Sequence, residues 1–417
     1  MVPMKVLISG GGIAGNALAF WLSKLGHKVT VIEWFPTLRT AGLQIDLRGH
    51  GIEVMKRMGL EQAIRAKLVP EQGLQVVDSS GKRRAFFPAN TSGKGAQNFT
   101  TEYEIMRGDF CRLMYDATKS RVKYVFGSSV ESYKENDTSV EVRFTDGKTE
   151  QFDLWVGADG PGSRTRKMML GPGAADAFHP MKGVYVAYYT IPRPIQKGEE
   201  YVSTMYMATG HRGLMTRRSN PDQIQIYIGC TTDSVRLKNV RRGDVVEEKA
   251  ALQELFQGAG WQSEEIAKAA KDADDFYCER IGIVKLESWF RGRVALVGDA
   301  AYCPSANTGM GTTSAIVGAY ILAGEIGRHC GGENPATKQS LAIALEAYNT
   351  KFQPFMTQVQ KGVLEEGGFS NYFPSSSFGI AVMYRILGIA SFFKVNMGKW
   401  MLKEEVKDWE LPDYEEL

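Results

Sequence analysis

Three glycines and one carboxylate near the start of the chain define the first chemistry it can do. Gly10, Gly12 and Gly15 fit G-x-G-x-x-G, and Glu33 follows about 20 residues past that turn. The spacing suits a dinucleotide. The first glycine makes a tight turn, the second lets a pyrophosphate approach the backbone, and the third lets a helix lie close on a strand. Glu33 stands where a carboxylate grips ribose hydroxyls. Ala14 opens the helix whose N-terminus would face the phosphates. The elements that must position these residues are legible around them. Val6, Leu7 and Ile8 form the apolar run of a buried parallel strand, residues 14–24 continue as a helix, and Val29, Val31 and Ile32 give a second strand ending at Glu33. An ordinary glycine turn in an α/β domain is the plainer alternative.

Composition narrows the class. The 417 residues suffice for two or three domains, and 23% charged with 43% hydrophobic residues is ordinary for a globular protein. A net charge of +3 suits an anionic cofactor, but the basic residues are not clustered as nucleic-acid binding requires. The runs Lys82-Arg83-Arg84 and Arg241-Arg242 read as solvated turns. Five scattered cysteines and five scattered histidines give no metal-ligand spacing, so no metal is expected. No G-x-S-x-G elbow supports serine hydrolysis. With no secretory signal and no run of 18 apolar residues, a cytoplasmic protein without a spanning helix is expected, as a monomer or weak homodimer. The nearest apolar stretch, residues 378–393, is interrupted by Arg385 and suits a core or interface helix better than a membrane-surface helix.

Along the chain, residues 74–87 read as a hairpin turning at Ser80-Gly81, and 105–115 as a helix with Arg107 in its first turn. Strand-like runs follow at 122–126, 130–134, 140–144 and 152–156. Residues 183–230 are β-rich, with tyrosines and β-branched residues in alternation. Residues 293–297 form another parallel-type strand, 312–328 a long apolar helix, and 338–361 a further helix in which Pro354 predicts a kink. The opening fold is thus split by inserted sheet segments. The predicted class is α/β: a Rossmann-like dinucleotide domain (1–72, 99–172 and 278–345), a mixed β-sheet substrate domain (73–98 and 173–277) and a C-terminal helical segment (346–417).

Three signatures occur in order: GGGIAG (10–15), GADGPGSRTR (157–166) and RVALVGDAAYCPSANTGMG (293–311). Together they resemble the class A flavoprotein monooxygenases, the single-component FAD-dependent aromatic hydroxylases that include the tetracycline-inactivating enzymes. The resemblance covers roughly residues 4 to 370. It implies tightly bound, non-covalent FAD, with NADPH or NADH as a transient reductant and O2 as co-substrate. Asp299 would accept hydrogen bonds from the ribityl hydroxyls, its alternative being a helix N-cap. Gly309, Met310 and Gly311 would meet the flavin's pyrimidine edge through backbone N–H groups. Asp159 belongs to the family's Asp-Gly motif, although Asp-Gly is also a common turn pair. Arg107 and Arg39 would serve the pyrophosphate region, and Arg48 would lie near the flavin ring, where its charge suits a reduced, anionic flavin. The chain departs from the family pattern at Tyr302 (usually histidine), Pro304 (earlier than the usual prolines), Ala306 and Met310 (usually glutamine).

The resemblance further implies that a flavin C4a-hydroperoxide delivers one oxygen to an electron-rich carbon, while the protein orients the substrate and excludes water. The expected substrate is a bulky aromatic or polyketide-like small molecule. Hydroxylation leads, with epoxidation and Baeyer-Villiger insertion as variants. Tyr185, Tyr188, Tyr206, Met215, Arg217 and Tyr227 of the sheet, with Pro304, are the candidate lining residues. Plain sheet packing is the alternative for each. Arg217 suits an anionic or phenolate substrate; His211 is a weaker candidate base. A flavin-dependent reductase or cyclase of related fold, or a non-catalytic FAD-binding protein, is the alternative function. No G-W-x-W-x-I-P segment supports a halogenase.

Overall fold

The computed structural model describes residues 2–39, 42–90, 102–241, 243–331, 336–364, 374–395 and 406–417. Its first sheet is built on Lys5–Ser9. That strand pairs in parallel with Lys28–Glu33 on one side and Leu154–Gly157 on the other. The full order is Phe290–Arg291, Val294–Leu296, Leu154–Gly157, Lys5–Ser9, Lys28–Glu33 and Lys123–Phe126, with Phe290–Arg291 alone antiparallel. Val6, Leu7 and Ile8 are fully buried because both faces of the sheet are covered. Each contributes roughly 1.5–3 kcal/mol by burial. The helix Ile13–Lys24 packs against the helices Arg107–Thr118 and Gly311–Cys330. A three-stranded sheet of Val130–Glu135, Val140–Phe144 and Thr149–Phe152 adds Val140, Val142, Phe144 and Phe152 to the same core.

The second sheet has seven strands, in the order Tyr277–Val284, Phe178–Pro192, Gln223–Thr231, Arg212–Arg217, Ser203–Ala208, Gly73–Val77 and Arg83–Pro88. One face packs Tyr189, Leu214, Ile226 and Ile228 on Ala251, Leu252, Ile266 and Ala267 of the helices Val245–Leu255 and Ser263–Ala269. The other face turns toward the dinucleotide domain. Sheet pairing moves two predicted boundaries. Tyr277–Val284 belongs to the second sheet, bonded to Phe178–Pro192, so the return at 278 begins after that strand. The boundary at 346 falls inside the helix Lys338–Gln360, which runs through Pro354.

The C-terminal residues do two different things. The helix Ser377–Phe392 lies along the edge strand Arg83–Pro88, where the Ser391 hydroxyl donates to the Phe86 carbonyl at 2.7 Å. Residues 406–417 return to the helix Gly311–Cys330. Tyr414 donates to the buried Glu325 at 2.5 Å, and a Cβ on Gly324 would sit 2.3 Å from the Tyr414 ring. Lys351 also pairs with Glu325, at 2.5 Å.

Candidate active site

The glycine turn is shaped from within the protein at two of its three positions. Gly10 has φ +112°, and a Cβ there would sit 2.4 Å from the Ala158 carbonyl oxygen. A Cβ on Gly15 would sit 1.9 Å from the Gly10 oxygen. Gly12 differs: its Cβ would meet only the Arg107 Nη2, at 3.5 Å, so the space above it is open to a ligand. Ala14 is buried behind the turn. Glu33 accepts from the Gly11 N–H at 2.9 Å and the Phe35 N–H at 3.1 Å, which fixes its carboxylate beside the turn. Asn16, fully buried, donates to the Gly11 and Gly12 carbonyls at 2.6 and 3.0 Å. No pattern singled it out, because its role depends on Tyr124, whose hydroxyl holds its other end at 2.8 Å.

Arg39 and Arg107 converge on this turn. Burial lowers the Arg39 pKa, and the Arg107 charge lowers it further. Two guanidiniums held together in this way form a ready seat for a pyrophosphate. Arg39 also lies over the Tyr277 ring, 5.4 Å from its centroid.

The two later signatures are tied to each other. Asp159 accepts from Ser163 Oγ at 2.5 Å and from the Thr165 N–H and Oγ1, both at 3.0 Å. Its carboxylate is therefore engaged within its own turn. Arg166, fully buried, donates to the Pro161 carbonyl at 2.7 Å, the Ala300 carbonyl at 3.0 Å and the Asp176 carboxylate at 2.7 Å. It braces the Asp-Gly turn against the Gly298-Asp299 turn. The motif containing Arg166 was visible in the sequence, but its role was not. Burial pushes the Asp299 carboxyl up to about 6, against the pull of the Arg107 charge. Tyr302 points away from this site. It packs among Trp289, Tyr348 and Phe352, and a Cβ on Gly318 would sit 1.9 Å from its hydroxyl.

Arg48 is clamped to the same region. Its N–H donates to Thr313 Oγ1 at 3.0 Å, in the first turn of Gly311–Cys330, and its guanidinium pairs with Asp46. Gly309 is left-handed at φ +65°, and nothing lies within 4 Å of a Cβ placed on Gly311. Met310 is buried at the helix start.

Between this region and the second sheet lies a cavity of about 350 Å³. Arg48, Ala306, Asn307 and Gly309 form one wall. The other wall is built on a cross-strand row of the second sheet. Register places Met205, Met215, Tyr227 and Tyr188 side by side on four neighbouring strands along the cavity, and continues the row beyond it to Val76 on one side and Tyr277 on the other. Tyr188 stacks on Tyr277 at 4.9 Å and meets Tyr227 edge-on at 5.5 Å. Beside this row, Gly213 pairs with Gly229, leaving a shallow trough. Tyr185 and Tyr206 also border the cavity, but the alternation along their strands puts their side chains in the opposite core, where Tyr206 donates to the Ala259 carbonyl at 2.8 Å. Pro304 is buried and does not line the cavity, and His211 sits at its rim in a turn, with φ 54°.

At one end of the cavity is a charged cluster that no sequence pattern had joined. Arg217 makes two bonds to Glu71, at 2.8 and 2.6 Å, and one to Glu104 at 2.6 Å. Its charge is thus engaged by the protein's own carboxylates rather than held clear for an anionic ligand. Gln44 donates to Glu104 at 2.5 Å, and Asp46 and Arg48 border the same end. Burial pushes the Glu104 carboxyl up to about 7; Arg217 opposes the shift, while Glu71 and Asp46 add to it.

A family model described as an FAD binding domain matches residues 3–362. An FAD-dependent monooxygenase of Sarocladium schorii (asL4) is 53% identical, with 100% of this chain and 99% of that protein covered. A flavin-dependent monooxygenase of Phoma sp (eupH) is 39% identical, covering 99% and 98%. The crystal structure of tetracycline destructase Tet(51) superposes with a TM-score of 0.78 at 30% identity, covering 99% of this chain and 100% of that one.

Proposed function

The chain belongs to the FAD binding domain family and is a flavin-dependent monooxygenase, and from that premise we propose that it spends NAD(P)H and dioxygen to place one oxygen atom on a bulky aromatic or polyketide-like molecule. Hydroxylation is the leading outcome; epoxidation and Baeyer-Villiger insertion use the same geometry. The observation that carries this reading is the row of Met205, Met215, Tyr227 and Tyr188 facing Arg48 and Gly309 across the cavity. Such a wall offers flat, polarizable surface to an extended ring system. The likeness to a protein named a tetracycline destructase supports a polycyclic ligand.

The residues present fit FAD. The open space over Gly12, the paired Arg39 and Arg107, and the Glu33 carboxylate suit its ADP half. Asp299 suits the ribityl chain; the Gly309 N–H is donated to the Ala306 carbonyl and the Met310 N–H to Thr308 Oγ1, which leaves the Gly311 N–H at the helix start to suit the ring edge. When bound, FAD takes electrons from the nicotinamide and activates dioxygen. Arg48, its guanidinium paired with Asp46, borders the ring's side of the cavity. Tyr188 and Tyr227 orient the substrate, and the apolar wall keeps water away. Glu104 can hold or release a proton near neutral pH at the cluster end.

The test is a screen of aromatic metabolites for stimulated NADPH oxidation, followed by isotope-labelled dioxygen. Label in the product is the expected result. A product formed at the same rate without dioxygen would replace this reading with a reductase or cyclase of related fold.

A further inference from the structure

The helix Ser377–Phe392 has two apolar faces, and one of them is covered. Ile380, Met383, Tyr384, Leu387 and Ala390 pack on Val76, Ala85, Phe87 and Met207 of the second sheet. The opposite stripe is exposed: Phe378 (80%), Val382, Ile386, Ile389, Phe392 (81%) and Phe393, continued by Val395. The spacing of these residues keeps them on one side of the helix. Seven of the twelve exposed large hydrophobic side chains among the described residues fall in this one stretch. Scattered exposed apolar residues need no explanation, but a contiguous stripe does.

The charge carried by the helix stretch itself is of one sign. Residues 374–395 contain no Asp or Glu, and both of their charged residues, Arg385 and Lys394, are exposed. Neither makes an ion pair with a described residue. The neighbouring strand brings Arg84, whose carbonyl lies 3.1 Å from a Cβ placed on Gly388, but its guanidinium pairs with Asp78 and Arg83 reaches Glu200, so Arg385 and Lys394 carry the charge of this face. A protein partner recognising this face would need acidic residues around an apolar groove. A bilayer with anionic headgroups over an acyl layer presents that combination without further specificity.

We propose that the exposed face of Ser377–Phe392 docks this protein on an anionic lipid surface. The helix lies in the interface, with Phe378, Ile386, Ile389, Phe392 and Phe393 in the acyl boundary, Lys394 at the headgroups, and Arg385, which the helical spacing puts within the stripe, extending its long side chain up to the headgroups. The docked face adjoins the active site. Met207 belongs both to the cluster beneath the helix and to the cavity wall, and Pro374, just ahead of the helix, also lines the cavity. A lipophilic substrate dissolved in the bilayer would therefore reach the cavity beside the helix.

The test is flotation of the full-length, FAD-loaded protein with vesicles of phosphatidylcholine containing phosphatidylserine, and with phosphatidylcholine alone. The expected result is co-flotation with the anionic vesicles that salt weakens. Ile386→Ser, Ile389→Ser and Phe393→Ser together should abolish it. Arg385→Glu with Lys394→Glu should weaken it roughly tenfold or more. All of these positions face solvent, so flavin content and melting temperature should stay at the wild-type level and serve as the folding control. Failure of the wild-type protein to float with either vesicle overturns the proposal, as does equal binding to both. A dimer in solution that the serine substitutions dissociate, without vesicle binding, assigns the face to a second copy and likewise overturns it.

Discussion

Asp299 couples cofactor binding to pH. Its carboxyl is raised to about 6 by burial, so the cofactor-free protein favours its protonated form below that value. Ribityl hydroxyls donate best to the ionised form, so binding should draw the proton off. FAD retention is therefore expected to fall as pH drops through about 6. Asp299→Asn should lose that dependence, and Asp299→Ala should weaken FAD binding by roughly 10- to 100-fold through lost charge-assisted hydrogen bonds. Flavin fluorescence after gel filtration reads both; full occupancy of the alanine variant removes Asp299 from the ribityl assignment. Glu104 makes the opposite kind of statement, about folding. Its folded pKa of about 7 lies above the ordinary carboxyl value of 4.5, so its contribution is complete below 4.5 and lost as pH rises through about 7. Glu104→Gln should flatten that part of the curve of melting temperature against pH. Equal slopes for the two proteins would show that the cluster does not titrate there. In the trough, a Cβ on Gly213 would meet only the Tyr206 carbonyl oxygen, at 3.8 Å, so Gly213→Val can be accommodated while filling the hollow. It should raise KM about tenfold and leave FAD content unchanged.

At the scale of elements, Arg166 joins two turns that the chain separates by more than a hundred residues. Arg166→Ala would leave two carbonyls without their donor and Asp176 paired with Lys167 alone, at a cost of about 1–3 kcal/mol. Urea unfolding and FAD content measure it together. A loss of stability with no loss of FAD would separate the brace from the cofactor site. What could be read in advance follows the range of each interaction. Gly10, Gly15 and the strands around them were legible because turn geometry, burial and helix start are local. The cluster of Glu71, Glu104 and Arg217 was not, because sheet pairing alone brings those residues together. Tyr188 and Tyr227 could not be told from Tyr185 and Tyr206 for a related reason. Both faces of this sheet are covered, so the apolar pattern does not mark which face meets the cavity. Tyr277 falls in the same row through a strand whose first residues lie at a predicted domain boundary.

At the scale of the whole molecule, residues 406–417 anchor the helix that presents Gly311 to the active site. Tyr414 fills the space over Gly324 and shares Glu325 with Lys351. Tyr414→Ala should cost about 3–5 kcal/mol, from lost packing and a weakened buried carboxylate network. Tyr414→Phe should cost less, and denaturant midpoints of the two variants distinguish packing from the hydrogen bond. The row from Val76 to Tyr277 has a consequence of another kind. The four of its strands that line the cavity, at about 4.8 Å spacing, make a ruler of roughly 14 Å, graduated one side chain per strand. Each of these four can be altered by a separate substitution, because neighbouring rungs come from different strands and none of the four contributes to the glycine turn. A lineage carrying this sheet can change the length or outline of its ligand by single steps while its cofactor half stays intact.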